Sequence, residues 1–231
     1  MRRKIIFLYD YTGIMAQPWL DAGYECWCFD GQHPNGITRD GLHVKVGMWF
    51  DPYKLQEHVA CIKNMVGSGV HMVFGFPECT HLAVSGAAHF AKKLEVNPSI
   101  QREATALAKL VMRLGEALKC RWAAENPVSV LSTLWRKPDF SFHPWEYGGY
   151  LPIDDIHPLY PDYVAARDAY PKKTCIWCSS DFIQPPKIPV YCPPGYSKQH
   201  SALGGKSIKT KNIRSATPRG FAQAVYITNK E

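Results

Sequence analysis

The run Val70-His71-Met72-Val73-Phe74-Gly75-Phe76 constrains the fold of this chain more than any other stretch. Apart from His71 it is apolar, and it breaks off at Pro77-Glu78-Cys79-Thr80. A short unbroken apolar run bounded by turn residues predicts a strand buried on both faces, as in parallel sheets. Helical patterns flank it. Tyr53 to Val66 carries apolar residues at 55, 59, 62 and 66, and Gln101 to Leu118 carries them at 104, 107, 108, 111, 114 and 118. Both spacings are those of a helix with one buried face. Strands alternating with helices predict an α/β fold: a mostly parallel sheet with helices on both faces.

In such sheets, ligands and chemistry gather where strands end at their carboxyl edge. Four further segments end on an acid there. Lys4 to Tyr9 runs into Asp10-Tyr11-Thr12-Gly13, Tyr24 to Phe29 stops at Asp30, and His43 to Met48 leads to Asp51. Arg121 to Ala124 runs into Glu125-Asn126-Pro127. An acid about twenty residues beyond the first strand commonly holds ribose hydroxyls in nucleotide-binding folds, which makes Asp30 a candidate. Cys79 and Glu125 end two strands separated by one long helix, and a right-handed crossover makes such strands neighbours. A thiolate nucleophile beside a carboxyl group that grips or protonates the attacked ring is a workable catalytic pair.

Charge is unevenly spread. Of 27 Lys and Arg and 20 Asp and Glu, residues 182–231 hold eight bases and one acid, leaving 19 of each before them. The whole excess of +7 therefore lies in the last fifth of the chain, which suits a polyanion such as nucleic acid. No run of eighteen apolar residues is present, and the eight cysteines follow no small-scaffold spacing. The expectation is a cytoplasmic chain with reduced thiols and no membrane span. Residues 81–99 lack periodicity and are expected to form a long loop, and residues 135–171 an irregular, aromatic-rich excursion. Trp19, Trp27 and Trp49 are expected in the core, with stacking on a ligand ring as the alternative for one of them. Thr174 to Trp177 reads as a strand and Ala216 to Thr228 as a closing helix.

These motifs, in this order, resemble the cytosine-C5 DNA methyltransferases, especially the short bacteriophage-encoded type. Asp10-Tyr11-Thr12-Gly13 resembles the loop that holds S-adenosylmethionine, and Asp30 matches the ribose-binding acid. Phe76-Pro77-Glu78-Cys79-Thr80, continuing into His81-Leu82-Ala83-Val84-Ser85-Gly86, is similar to the nucleophile motif. Glu125-Asn126-Pro127-Val128 is similar to the acid motif. Pro171-Lys172-Lys173-Thr174-Cys175-Ile176-Trp177 resembles the strand motif that follows, and Ala222-Gln223-Ala224-Val225 the closing motif.

The resemblance implies a Rossmann-like methyltransferase fold in which Cys79 attacks C6 of a flipped cytosine and Glu125 grips its N3 edge. It implies cofactor contacts from Asp10, Tyr11, Thr12, Gly13, Asp30, Asp51, Pro77, Gln223 and Ala224. DNA contacts would come from Thr80, His81, Ser85, Lys172, Lys173, Lys206, Lys209, Lys211 and Arg214. The chain divides as a catalytic stretch 1–181, a short basic region 182–214 in place of a target-recognition domain, and a returning helix 215–231. Glu78 stands where the family has a second proline and should raise the pKa of the neighbouring thiol unless its carboxylate is turned away. So short a region between Trp177 and the closing motif leaves few side chains to read base edges, predicting relaxed or short sequence specificity. The same departures admit two alternatives, a free pyrimidine nucleotide as substrate or a catalytically silent binding protein. Cys175, Cys178, Cys192 and His200 offer zinc-type donors. Residues three apart on a strand face opposite sides, however, and no metal is expected.

Overall fold

In the computed structural model, residues 3–195, 197–204 and 207–231 are described. Strand β1 (Lys4–Leu8), helix α1 (Gln17–Asp21), strands β2 (Glu25–Asp40) and β3 (His43–Gly47), helix α2 (Leu55–Val66) and strand β4 (Val70–Gly75) follow in order. A 3₁₀ turn (Val84–His89), α3 (Phe90–Val96), α4 (Ile100–Leu118), β5 (Arg121–Pro127), α5 (Leu131–Leu134) and β6 (Phe140–Phe142) come next. Two further 3₁₀ segments (Pro144–Tyr150 and Ala166–Asp168), β7 (Thr174–Cys178), α6 (Lys198–Ser201), α7 (Ile208–Ser215) and α8 (Arg219–Asn229) complete the chain.

The strands form one seven-stranded sheet in the order β3-β2-β1-β4-β5-β7-β6. β1 pairs in parallel with β2 and with β4, and β4 pairs in parallel with β5. The first part of β2 runs beside β3 in the same sense, from Cys26 opposite His43 to Asp30 opposite Gly47. The chain then doubles back. Ile37 to Asp40 meet Val46 to His43 in descending order, an antiparallel hairpin turning at Gly41, whose φ of 56° suits glycine. The sheet is therefore mixed but mostly parallel. Its order 3-2-1-4-5 places a topological switch point between β1 and β4.

Alternation along the strands builds two apolar faces. Ile6, Leu8, Trp27, Phe29, Val73, Trp122 and Ala124 share a cluster with Leu55, Val59, Ile62 and Val66 of α2 and with Ala104, Ala108, Val111 and Leu114 of α4. Ile5, Phe7, Cys26, Cys28, Met72 and Phe74 alternate with them and are fully buried. Helix α4 lies close because two positions lack a side chain. A Cβ at Gly75 would stand 2.4 Å from Val111, and one at Gly115 would stand 2.6 Å from Trp122. Trp122, Trp135 and Trp177 stack in series at 6.1 and 6.2 Å between ring centroids, with the Arg136 guanidinium over the first two.

The chain forms two compact units. The first holds residues 1–11, 19–141 and 175–182, and the second holds 12–18, 142–174 and 183–231. Residues 142–174, placed by sequence within the stretch 1–181, thus cluster with the basic region and with α8. In the second unit Phe221 of α8 stacks on Phe142 at 4.1 Å and meets Tyr147 edge-on. The Gly220 N–H donates to Asp168, and Asn229 Nδ2 and Oδ1 bond the backbone of Ile183. A glycine at 220 is required there, because a Cβ would fall 2.3 Å from the Tyr147 carbonyl oxygen.

Two expectations change. Residues 81–99 are not a loop, since the 3₁₀ turn and α3 occupy most of them. Neither element buries a residue fully, so no apolar stripe betrayed them. Local propensity in Ala87, Ala88, Ala91, Lys92, Lys93, Leu94 and Glu95 carries the helix instead. Trp19 and Trp27 are in the core, but Trp49 is 78% exposed. No helix among the described residues is long and apolar enough to cross a membrane.

Candidate active site

The carboxyl edge of the sheet in the first unit collects the strand-end residues in spatial order. Asp51 follows β3, Asp30 ends the parallel part of β2, Asp10 follows β1, the Cys79 turn follows β4, and Glu125 lies in β5. The last two turns are stitched together. Gly75 pairs with Ala124, so β4 ends there while β5 continues through Glu125 to Pro127 beside the turn that carries Cys79. Asn126 is 1% exposed, and its Nδ2 donates to the Pro77 carbonyl at 2.9 Å. Past the turn, Ala83 bridges Ser129, the Val84 N–H donates to Val128, and the Val130 N–H donates to Leu82, both at 3.0 Å. The Cys79 carbonyl accepts from the Leu82 and Ala83 N–H groups at 2.9 and 2.8 Å, closing a tight turn on the cysteine itself.

Cys79 is partly exposed, Pro77 is buried, and Glu125 is half-buried. Glu78 and Thr80 both face solvent, with the Thr80 hydroxyl donating to Glu78 at 2.5 Å and Lys93 Nζ donating to the Thr80 carbonyl at 2.5 Å. Ser85 is exposed and His81 half-buried on the same loop. Around this junction, Asn126 Oδ1, Ser129 Oγ and His81 Nδ1 are buried and have no hydrogen-bond partner among the described residues. Buried polar atoms are nearly always satisfied, so these three mark a place suited to a polar ligand.

Toward β3 the edge is acidic and aromatic. Asp10 is 3% exposed, and its carbonyl contacts His33 Nε2 at 3.2 Å. The Tyr11 ring lies 5.5 Å from that of His33. Asp30 Oδ1 accepts the Gln32 N–H at 2.7 Å, and burial raises the pKa of its carboxyl group above the ordinary carboxylate range. Burial likewise lowers the pKa of His33. Asp51 Oδ1 accepts the Tyr53 N–H at 2.8 Å, while the Asp51 N–H donates to His58. The Trp49 ring lies across Gly31, where any Cβ would come within 2.2 Å of it. An open indole face and a partly desolvated carboxylate thus stand together at the ends of β2 and β3.

The remaining candidates belong to the second unit. Thr12 and Gly13 lie there, with Gly13 at φ 69°. On α8, Gln223 is half-buried and Ala224 fully buried. Lys209 and Lys211 are exposed on α7. Arg214 is not displayed to solvent as a free cation: its Nε and Nη2 donate to the carbonyls of Gln199 and Leu203. Lys206 lies outside the described residues. Among the described residues no three His, Cys, Asp or Glu side chains converge as a metal-holding group. Cys175 is buried in β7, and Cys178 at its end is half-buried.

Sequence reasoning did not single out Asn126 or His33 as site residues, and it weighed a stacking role for Trp49 only as the alternative to a place in the core. Asn126 carried a usable signal, a polar residue in an apolar strand end beside Glu125. His33 carried none, because its partner Asp10 is twenty-three residues away. Compared with models of known protein families and with curated proteins, the chain matches none.

Proposed function

We propose that this chain transfers a methyl group from S-adenosylmethionine to C5 of cytosine in DNA, with Cys79 as nucleophile and Glu125 as the residue that holds the base. One observation carries the reading. The Cys79 and Glu125 turns leave adjacent parallel strands at the carboxyl edge and are fastened to each other through Asn126 and the Ala83–Ser129 bridge. Two reactive groups fixed on rigid strand ends meet the requirement for preorganised catalysis better than groups on separate loops.

The first unit fits the cofactor. Asp30 and Asp51 present carboxylates to hydroxyl groups, and the open face of Trp49 beside Gly31 offers a stacking surface for a purine. When bound, S-adenosylmethionine supplies an electrophilic methyl group. The protein's own residues do the rest. The Cys79 thiolate forms a bond to C6 of a cytosine swung out of its duplex, which loads electron density onto C5. Glu125 stabilises the charge that develops at N3 and the exocyclic amine. The unsatisfied Asn126 Oδ1, Ser129 Oγ and His81 Nδ1 are available to the polar edges of the base. Loss of the C5 proton and cleavage of the Cys79–C6 bond restore the ring.

The test measures transfer of tritium from methyl-labelled cofactor to duplex DNA and, in parallel, to dCMP. Label in DNA that vanishes in Cys79→Ala supports the reading. Label in dCMP alone moves the substrate to a free nucleotide. Turnover retained by Cys79→Ala removes the nucleophile.

A further inference from the structure

The second unit contains a cavity of about 470 Å³ lined by His143, Pro171, Lys172, Lys173, Gly195 and His200. Its lining comes from three separate parts of the chain: the residue after β6, the segment leading into β7, and the basic region. Among the described residues no carboxylate lines it. The neighbouring Glu146 is already engaged, accepting Lys187 Nζ at 2.7 Å and the His143 N–H at 2.6 Å. Lys172 is half-buried and held by its backbone, its carbonyl accepting the Thr174 hydroxyl at 3.1 Å. Arg214 ties α6 to α7 through Gln199 and Leu203 and so keeps His200 near a third cation. Burial, Arg214 and Lys172 together lower the pKa of His200, which places two cations close to its ring.

We infer that this cavity is an anion site that grips a backbone phosphate of the bound nucleic acid. Two lysines that share one wall with imidazole nitrogens form a phosphate cradle. A volume of this size admits a phosphodiester with its flanking sugar. The basic segment is then not a solvated tail, because it folds against Lys172 and Lys173 to finish a site. Since a phosphate carries no base identity, the site contributes affinity and register but no sequence preference. The inference deepens the proposed function by naming how the DNA strand is held, yet it is read out by binding alone.

The experiment uses the full chain and fluorescence anisotropy with a labelled duplex oligonucleotide over a series of salt concentrations. Lys172→Gln/Lys173→Gln is compared with the unaltered chain and with Cys79→Ala, and circular dichroism melts report folding of each. Losing two phosphate contacts should weaken binding roughly tenfold and flatten the slope of log K against log salt by about 1.8. The loss should be the same for unrelated duplex sequences, and His200→Gln should lower affinity by a smaller factor. Cys79→Ala should bind normally, so a failed methyl-transfer assay leaves this result intact. Inorganic phosphate and dCMP serve as competitors. Displacement of duplex only at millimolar phosphate supports a backbone site, whereas tight dCMP binding that the lysine changes abolish would overturn it in favour of a mononucleotide. Unchanged affinity and salt slope in a folded double variant would also overturn it.

Discussion

Asn126 is the residue on which the proposed chemistry most depends without taking part in it. Its amide joins two turns whose contacts lie forty-nine residues apart in the chain. Asn126→Ala should leave the buried Pro77 carbonyl without its donor and destabilise the fold by about 1–3 kcal/mol. It should also lower methyl transfer more than Ser85→Ala, a change on exposed surface, does. Glu125→Gln keeps the shape but loses the charge, and a rate loss on the order of 10²–10³ is expected in the tritium assay. A second pair of buried residues sets the pH response of the second unit. Burial pushes the Asp168 carboxyl up to about 7, while His157, 2% exposed and beside Arg219, is held down to about 4. For Asp168 the folded value exceeds the unfolded one of about 4, so its stabilising contribution is complete below pH 4 and is lost as pH rises through 7. For His157 the folded value lies below the unfolded one of about 6.5, so its contribution is complete above that pH and is lost as pH falls through 4. The two limbs oppose each other. In Asp168→Asn only the His157 limb remains, so melting temperature should rise between about pH 4 and 6.5, where in the unaltered chain the two limbs offset each other. Asparagine tolerates the positive φ of 50° at this position.

At the scale of elements, α4 and its two glycine contacts hold the site strands in place. Gly115→Ala drives a Cβ toward Trp122 on β5, and the overpacking should cost about 1–3 kcal/mol. Urea unfolding should show a lower midpoint with unchanged slope. A fully tolerated alanine would mean that α4 stands farther from the sheet. Most elements were legible in the sequence: α2, β4, α4 and β7 begin and end within two residues of expectation, while β5 begins where expected but runs three residues further, through Glu125 to Pro127. Each combines a strong period with a turn residue at its end. The helix at Phe90–Val96 was not legible because it rests on propensity and partial burial, which leave no stripe to count. The return of β2 upon β3 was missed for a different reason. The hairpin arm Ile37–Asp40 is exposed throughout, so no alternation of apolar residues announced it.

Across the whole molecule, the charge excess in residues 182–231 is a local property of the sequence, but its use is not. Part of it is consumed internally, as Arg214 and Arg219 show by bonding Gln199, Leu203 and Asp155. Lys209 and Lys211 remain outward-facing on α7, where under the proposed function they would add phosphate contacts of the salt-sensitive kind. If the proposed function holds, the short basic region leaves few side chains to reach base edges, and base-edge readout should be sparse. Bisulfite sequencing of DNA from cells that express the chain should therefore show methylated cytosines in short or loosely defined contexts. A single long recognition sequence would contradict this.

Periodicity, strand-end acids and charge distribution were sufficient by themselves to establish an α/β chain with Cys79 just past one strand, Glu125 toward the end of another and a basic last fifth. These are local patterns, since burial repeats every two or every 3.6 residues and leaves its mark on neighbouring positions. Only the tertiary structure decided that the two turns are bonded to each other and that Trp49 stands open over Gly31. It alone brought His143, Lys172 and His200 around one cavity. Such contacts join residues dozens of positions apart, and they depend on sheet register and helix docking, which no local pattern encodes.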